Sequence, residues 1–271
     1  MKIFLMTDLE GVCGVINHDD WVIPSGRYYE EGKKLLTMEV NAAVEGFFSA
    51  GASEIVVVDG HGAGGINHTL LDNRTMYLRS SVGPYPFMLD KSYDAIAWVG
   101  QHAKAGTEHA HIAHTGWFDV IDYKINGISV GEFGHIAMLA AFLGIKSIFA
   151  SGDKAFTLEA KALIQGIETV TVKKGLTIGN GDELDCNDYM KKNLSALHLH
   201  PEKVRDLIRK GAHNALSRFV TSSESFTLFP VRPPFRKDVK YRPNGGKPAY
   251  EAYAEHPDNL IELMNKTETI L

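Results

Sequence analysis

The chain has 271 residues, 44% hydrophobic and 23% charged, with a formal net charge of -5. That length suffices for a sizeable core in one α/β domain or one domain with an appendage, and the acidic balance, without any long basic run, argues against nucleic acid as a partner. Two cysteines, Cys13 and Cys186, make no disulfide framework and suit a reducing compartment; no stretch reaches the roughly 18 uninterrupted apolar residues of a membrane span, so a soluble, cytoplasmic protein with no membrane partner is expected.

The N-terminal run 2–7 (KIFLMT) reads as a short buried strand and is too short for a signal-peptide core. A helical pattern follows over about 28–50, with Leu36, Val40, Val44 and Phe47 near helical spacing and Gly51 as its stop. Residues 54–59 (EIVVVD) and 94–99 (DAIAWV) predict two further strands. Alternation over 119–130 around Asn126-Gly127 predicts a hairpin. A mostly buried helix is expected at 131–143, a strand at 146–151, a helix at about 154–165, a short strand at 168–173, and an amphipathic helix at 201–219 beginning with Pro201. Strands alternating with helices imply a largely parallel central sheet with helices on both faces. The proline-rich tail 222–271 changes character: a strand at Phe226–Val231 and a helix at Tyr250–Met264 are expected to form a small C-terminal α+β appendage. The domain expectation is therefore an α/β catalytic domain over 1–220 and a small unit over 221–271 packed on it.

Ionisable residues follow the apolar strands directly. The first strand runs into Asp8-Leu9-Glu10, the second into Asp59-Gly60-His61, and the third into Gly100-Gln101-His102. Open α/β sheets bind ligands beyond the carboxyl ends of their strands, so these residues are expected at one edge. Residues i and i+2 of extended chain face the same side, which lets Asp8 and Glu10 face one point. Two adjacent carboxylates repel unless a proton or cation lies between them, and with two imidazoles the donor set suits zinc or a similar ion. The bland reading makes Asp8 and Glu10 ordinary loop acids.

Four of the twelve histidines fall in residues 102–114, HAKAGTEHAHIAH. His102, at a strand end, is the better ligand; His109 and His111 read as members of a solvated loop, and His114 is placed to return towards the site. Glu132, at the start of the buried helix, is explained equally by the helix dipole. His135 lies three residues on and would share its face. Gly60 to Gly65 fits G-x-G-x-x-G, but residues 66–73 (INHTLLDN) open no convincing helix, so the glycines are read as a turn that aims His61 inward. Cys13 reads as a small buried residue, and Asp153 as a helix cap or a supporting residue of the site.

The segments TDLEGVCG, VVDGH, GQHAKAGT, AHTG and VGEFGH together resemble the D-aminopeptidases of peptidase family M55, the DppA type, over roughly residues 1–220. The resemblance implies a metallo-aminopeptidase with two Zn2+ per subunit, held by Asp8, Glu10, His61, His102 and Glu132, with Asp8 bridging. It assigns the catalytic role to His114. The family pattern is one residue shorter between the positions of His102 and His114, which keeps His111 in view as a rival. The resemblance also implies ring-like homo-oligomers, such as a decamer, and short peptides beginning with a D-residue, D-alanine above all, as substrates. The alternatives are another two-metal hydrolase acting on phosphate esters or a different amide, and a non-enzymatic metal- or peptide-binding protein. A run of cations beside the ligands would favour phosphate, and only Lys104 is near in sequence.

Overall fold

The computed structural model describes residues 1–79 and 84–271. Its elements are β1 (Lys2–Thr7), α1 (His18–Trp21), α2 (Tyr29–Ser49), β2 (Glu54–Asp59), β3 (Met76–Arg79), β4 (Ala95–Gln101), β5 (Val120–Ile125) and β6 (Ile128–Ser129). They continue with α3 (Glu132–Phe142), β7 (Lys146–Asp153), α4 (Lys154–Leu163), β8 (Glu168–Gly175), α5 (Cys186–Lys192), β9 (Ala196–His198) and α6 (Pro201–Thr221). The chain closes with β10 (Phe235–Tyr241), β11 (Tyr250–His256), α7 (Leu260–Asn265) and β12 (Thr269–Ile270).

The main sheet has the order β3-β2-β1-β4-β7-β8-β9. All its pairings are parallel except β8 with β9. Alternation along β1 sends Ile3 and Leu5 to one apolar cluster and Phe4 and Met6 to the other, as the two-residue period of a strand requires. Helices α2 and α6 bury Val40, Phe47, Ile208 and Leu216 in the first cluster, and α3 and α4 bury Phe133, Leu139 and Phe156 in the second. This is the expected parallel sheet covered on both faces.

The order places β1 beside β4 at the point where the chain reverses its direction of growth across the sheet. Thr7 stands in register with Asp59 of β2 and with Val99 of β4. Three strands thus end level, and the segments that follow them share one crevice. Gly100 makes this closeness possible: its φ is +78°, and a Cβ there would lie 2.1 Å from the Asp8 carbonyl oxygen. Only glycine fits such a position without displacing backbone.

The tail departs from expectation. Residues 226–231 form no strand; a 3-10 turn at Ser223–Ser225 precedes irregular chain. Residues 250–264 are not one helix but the strand β11 followed by the short α7. The run YEAYAEH alternates burial along β11 and pairs in register with β10, so tertiary pairing overrides the helix-forming alanines and glutamates. The tail strands join the expected hairpin, whose Asn126 and Gly127 both have positive φ, in a second sheet ordered β12-β11-β10-β5-β6. Leu260 and Leu263 of α7 enter the same cluster as Phe133 of α3. Among the described residues no helix is long and apolar enough to cross a membrane.

Candidate metal centre

Six side chains meet at the C-terminal ends of β1, β2 and β4. Asp8, Glu10 and His61 form one triad, and His102, His114 and Glu132 another; within each triad the donor atoms lie within 4.8 Å of one another. All are buried except Glu132, whose side chain is 31% exposed. Asp8 stands between the triads. Its Oδ1 is 3.2 Å from His61 Nδ1, and its Oδ2 is 3.3 Å from His102 Nε2 and accepts from Gln101 Nε2 at 2.9 Å. Glu10 Oε2 is also 3.2 Å from His61 Nδ1, and Glu132 faces His102 Nε2 and His114 Nε2 at 3.7 Å each.

The outward nitrogens of the three rings fix what the inward ones can do. His61 Nε2 lies 2.9 Å from the Val22 carbonyl, His102 Nδ1 2.9 Å from that of Ala103, and His114 Nδ1 3.0 Å from that of Ile112. A carbonyl only accepts, so each outward nitrogen carries the hydrogen. In the neutral ring the inward nitrogen is then a bare lone pair aimed at carboxylate oxygens. Acceptors facing acceptors at such distances require a proton or a cation between them. Glu10 Oε2 and His102 Nε2 are fully buried and make no hydrogen bond. Backbone-anchored imidazoles with open inner nitrogens, opposite ionised carboxylates, fit a pair of zinc-like ions.

The electrostatics agree with that arrangement. Burial opposes charging His61 and His102, yet the facing carboxylates, Glu10 and Asp8 for the first and Glu132 and Asp8 for the second, raise both well above the usual imidazole range. Burial would raise Glu132, but His102 and His114 bring it down to about 2. Without an ion the centre therefore holds protons that a metal would displace. His114 goes the other way: burial first, and neighbouring His102 next, lower it. Its ring stacks on His102 with centroids 4.1 Å apart and on Phe118 at 4.5 Å.

Each residue is positioned by local structure. The Asp8–Val15 loop is tied to β4 by Asp8 N to the Val99 carbonyl and Gly11 N to that of Gly100. From beneath, the buried Lys173 of β8 donates to the carbonyl of Glu10 at 2.5 Å and of Val15 at 3.4 Å, and Glu39 of α2 accepts from Cys13 N. His61 rides on the glycine-rich turn. Asp59 accepts there from the amides of Gly65 and Ile66 and from the Tyr77 hydroxyl. Those amides are the ones a phosphate would need, and no helix follows them, so the G-x-G-x-x-G run is an Asp59-centred turn. Glu132 opens α3 and accepts from Gly116 N at 2.7 Å, which joins the A-H-T-G segment to the helix.

Other candidates fall outside the centre. His109 is exposed. His111 is buried with Nε2 on the Ile16 carbonyl and its amide on Asp153, so it supports the fold rather than rivalling His114. Asp153 does what a cap does, accepting from Phe156 N at the start of α4. His135 turns to Tyr85 and Tyr123 instead of sharing a site with Glu132. Cys13 donates its thiol to the Leu199 carbonyl, and burial pushes it up to about 12, the behaviour of a structural thiol. Lys173 carries no sequence signal of its own, and Asp59 and Gln101 show only their place at a strand end, because these roles exist only across strands. Lys173→Met is expected to bare two buried carbonyls, destabilise the fold by about 1–3 kcal/mol and weaken zinc binding. Urea unfolding and calorimetric zinc titration would check this; unchanged values in both would remove Lys173 from the support of the loop.

The centre lines a cleft of about 270 Å³ that also exposes His18, Arg79, Tyr85 and Trp117. A family model described as Peptidase M55, D-aminopeptidase, matches residues 1–246. A D-aminopeptidase of Bacillus subtilis (strain 168) is 29% identical over 183 residues, a match covering 65% of this chain and 65% of that relative's length. Among solved structures, the Zn-dependent D-aminopeptidase DppA from Bacillus subtilis, described as a self-compartmentalizing protease, superposes with a TM-score of 0.81 at 21% identity, over 97% of this chain and 94% of that one. At that identity the likeness is one of fold.

Proposed function

This chain belongs to peptidase family M55, the D-aminopeptidases, and from that premise we propose that it is a zinc-dependent aminopeptidase that removes a D-residue, D-alanine above all, from the N-terminus of short peptides. The observation that carries the proposal is the set of three imidazoles anchored outward to backbone carbonyls while their inner nitrogens face Asp8, Glu10 and Glu132. Asp8, Glu10 and His61 would hold one ion, and Asp8, His102 and Glu132 the other. Such a pair supplies Lewis-acid polarisation of the scissile carbonyl and a water acidified towards neutrality.

The protein's own groups do the rest. His114 is held neutral, its Nδ1–H pinned to the Ile112 carbonyl, so its Nε2 is ready to take a proton and return it to the leaving amine. Stacking between His102 and Phe118 keeps the ring from turning. The acidic end of the cleft draws the substrate's ammonium group. A phosphate ester is less well served, because Arg79, the cleft's guanidinium, is held by the carbonyls of Asp59, His61 and Gly62.

The self-compartmentalizing relative supports a homo-oligomer whose sites open inward; light scattering would read a mass several times 29.9 kDa. Cys13 and Cys186, both free and buried, support a cytoplasmic setting. The deciding experiment is hydrolysis of D-Ala-D-Ala and L-Ala-L-Ala by the zinc-loaded protein, with a chelated control. Chelator-sensitive cleavage of the D form alone is expected. Equal cleavage of both would leave the peptidase and discard the stereochemical preference. No cleavage of either would discard the peptidase.

A further inference from the structure

One group in the cleft has no part in the chemistry above. His18, in α1, is buried, its side chain only 8% exposed, and it lines the cleft that the metal centre lines. Its ring is wedged edge-on against Trp117 and Phe118, with centroids 5.4 and 5.1 Å away. Phe118 stacks on His114 from its own side, so one aromatic ring separates His18 from the reacting end. Asn17 caps α1, and Val22, just beyond the helix, supplies the carbonyl that anchors His61. The helix is thus fastened to the metal centre and cannot drift from it.

His18 Nδ1 lies 3.3 Å from the Asp19 carboxylate. Its Nε2 has no hydrogen-bond partner among the described residues and is not among the sealed polar atoms, so it opens to the cleft. Three of the cleft's other polar side chains already have partners, and Trp98 Nε1, unpartnered among the described residues, is sealed from solvent. Arg79 serves three carbonyls, Gln101 serves Asp8, and the Tyr85 hydroxyl meets His135. A short peptide is a zwitterion. With its ammonium at the Asp8, Glu10 and Glu132 end, its C-terminal carboxylate needs a donor farther along, and the ring of His18, beside the Trp117 indole, faces the cleft there.

Resting on the peptidase reading, we propose that His18 is a specificity-determining residue: its Nε2 binds the free C-terminal carboxylate of the leaving amino acid through a hydrogen, with the Asp19 carboxylate facing Nδ1 from the other side. The protein is then a dipeptidase by preference, because a longer peptide carries its carboxylate past His18 and an amidated one has none.

The test compares D-Ala-D-Ala with D-Ala-D-Ala amide on the zinc-loaded wild type, His18→Ala and His18→Gln. A charge-assisted hydrogen bond corresponds to about 10-fold or more in binding. KM for the free acid is therefore expected to rise at least about 10-fold in both variants, with kcat little changed and the amide's kinetics unmoved. His18→Gln keeps a polar ring-sized group and guards against a misfolded alanine variant. Calorimetric affinity for a dipeptide with a reduced, uncleavable peptide bond should fall in parallel. Equal losses on acid and amide, or no loss on either, would overturn the assignment while wild-type cleavage still upholds the peptidase. A wild type that cleaves neither substrate would overturn both.

Discussion

His114→Ala is expected to retain its full zinc content and to lose turnover by about 10²–10⁴-fold, the usual worth of a positioned proton-transfer group. The expectation rests on three features of the ring. It is buried, its Nδ1 is tied to a backbone carbonyl, and its Nε2 faces Glu132 from farther away than His61 faces Asp8. Burial and His102 hold it below the usual imidazole range, which suits a base. Geometry also permits another part, since His114 lies within ligand reach of His102 and Glu132. Metal analysis separates the two. Loss of one zinc equivalent along with activity would make His114 a ligand, and an unchanged kcat would remove it from the mechanism. A pH–rate profile that flattens on its acid limb in the variant would add direct evidence for the base.

Asp8→Ala should have the larger effect on the metal itself. Each Asp8 oxygen addresses a different triad, Oδ1 towards His61 and Oδ2 towards His102. Among the described residues, Asp8 is the carboxylate that both triads share. Outer partners of metal ligands already cost 10–100-fold when removed, so losing this bridge is expected to cost more than about 10²-fold in metal affinity and activity together. Both equivalents should leave on dialysis. Loss of a single equivalent would make Asp8 a terminal ligand, and two retained equivalents would exclude it as a ligand. In the metal-free protein the substitution also strips two rings of the carboxylate that favours their charged form. Both would titrate lower, so the proton release on zinc binding measured by calorimetry should shrink.

Much of this was legible in one dimension. The apolar runs KIFLMT, EIVVVD and DAIAWV state their strands, because a sheet buried on both faces needs continuous apolar residues. The acids and histidines that follow them state an edge. The Asn126-Gly127 hairpin was legible because both residues tolerate positive φ. The tail was not. Its YEAYAEH run has a composition that suits a helix, and only the open edge of β10 makes it a strand. His18 was missed for a similar reason: its histidine gains meaning only from Phe118 and Trp117, a hundred residues away.

The sequence by itself determined the kinds of donor and the strands that carry them, since burial periodicity and turn chemistry are local and survive in a linear reading. The tertiary structure decided which donors meet. It set β1 beside β4 at the reversal of the sheet, levelled the strand ends in register, turned His114 inward and His111 and His135 away, and slid Lys173 beneath Glu10. Those outcomes depend on strand order and on the hydrogen bond each outward ring nitrogen finds, and both are properties of the packed chain.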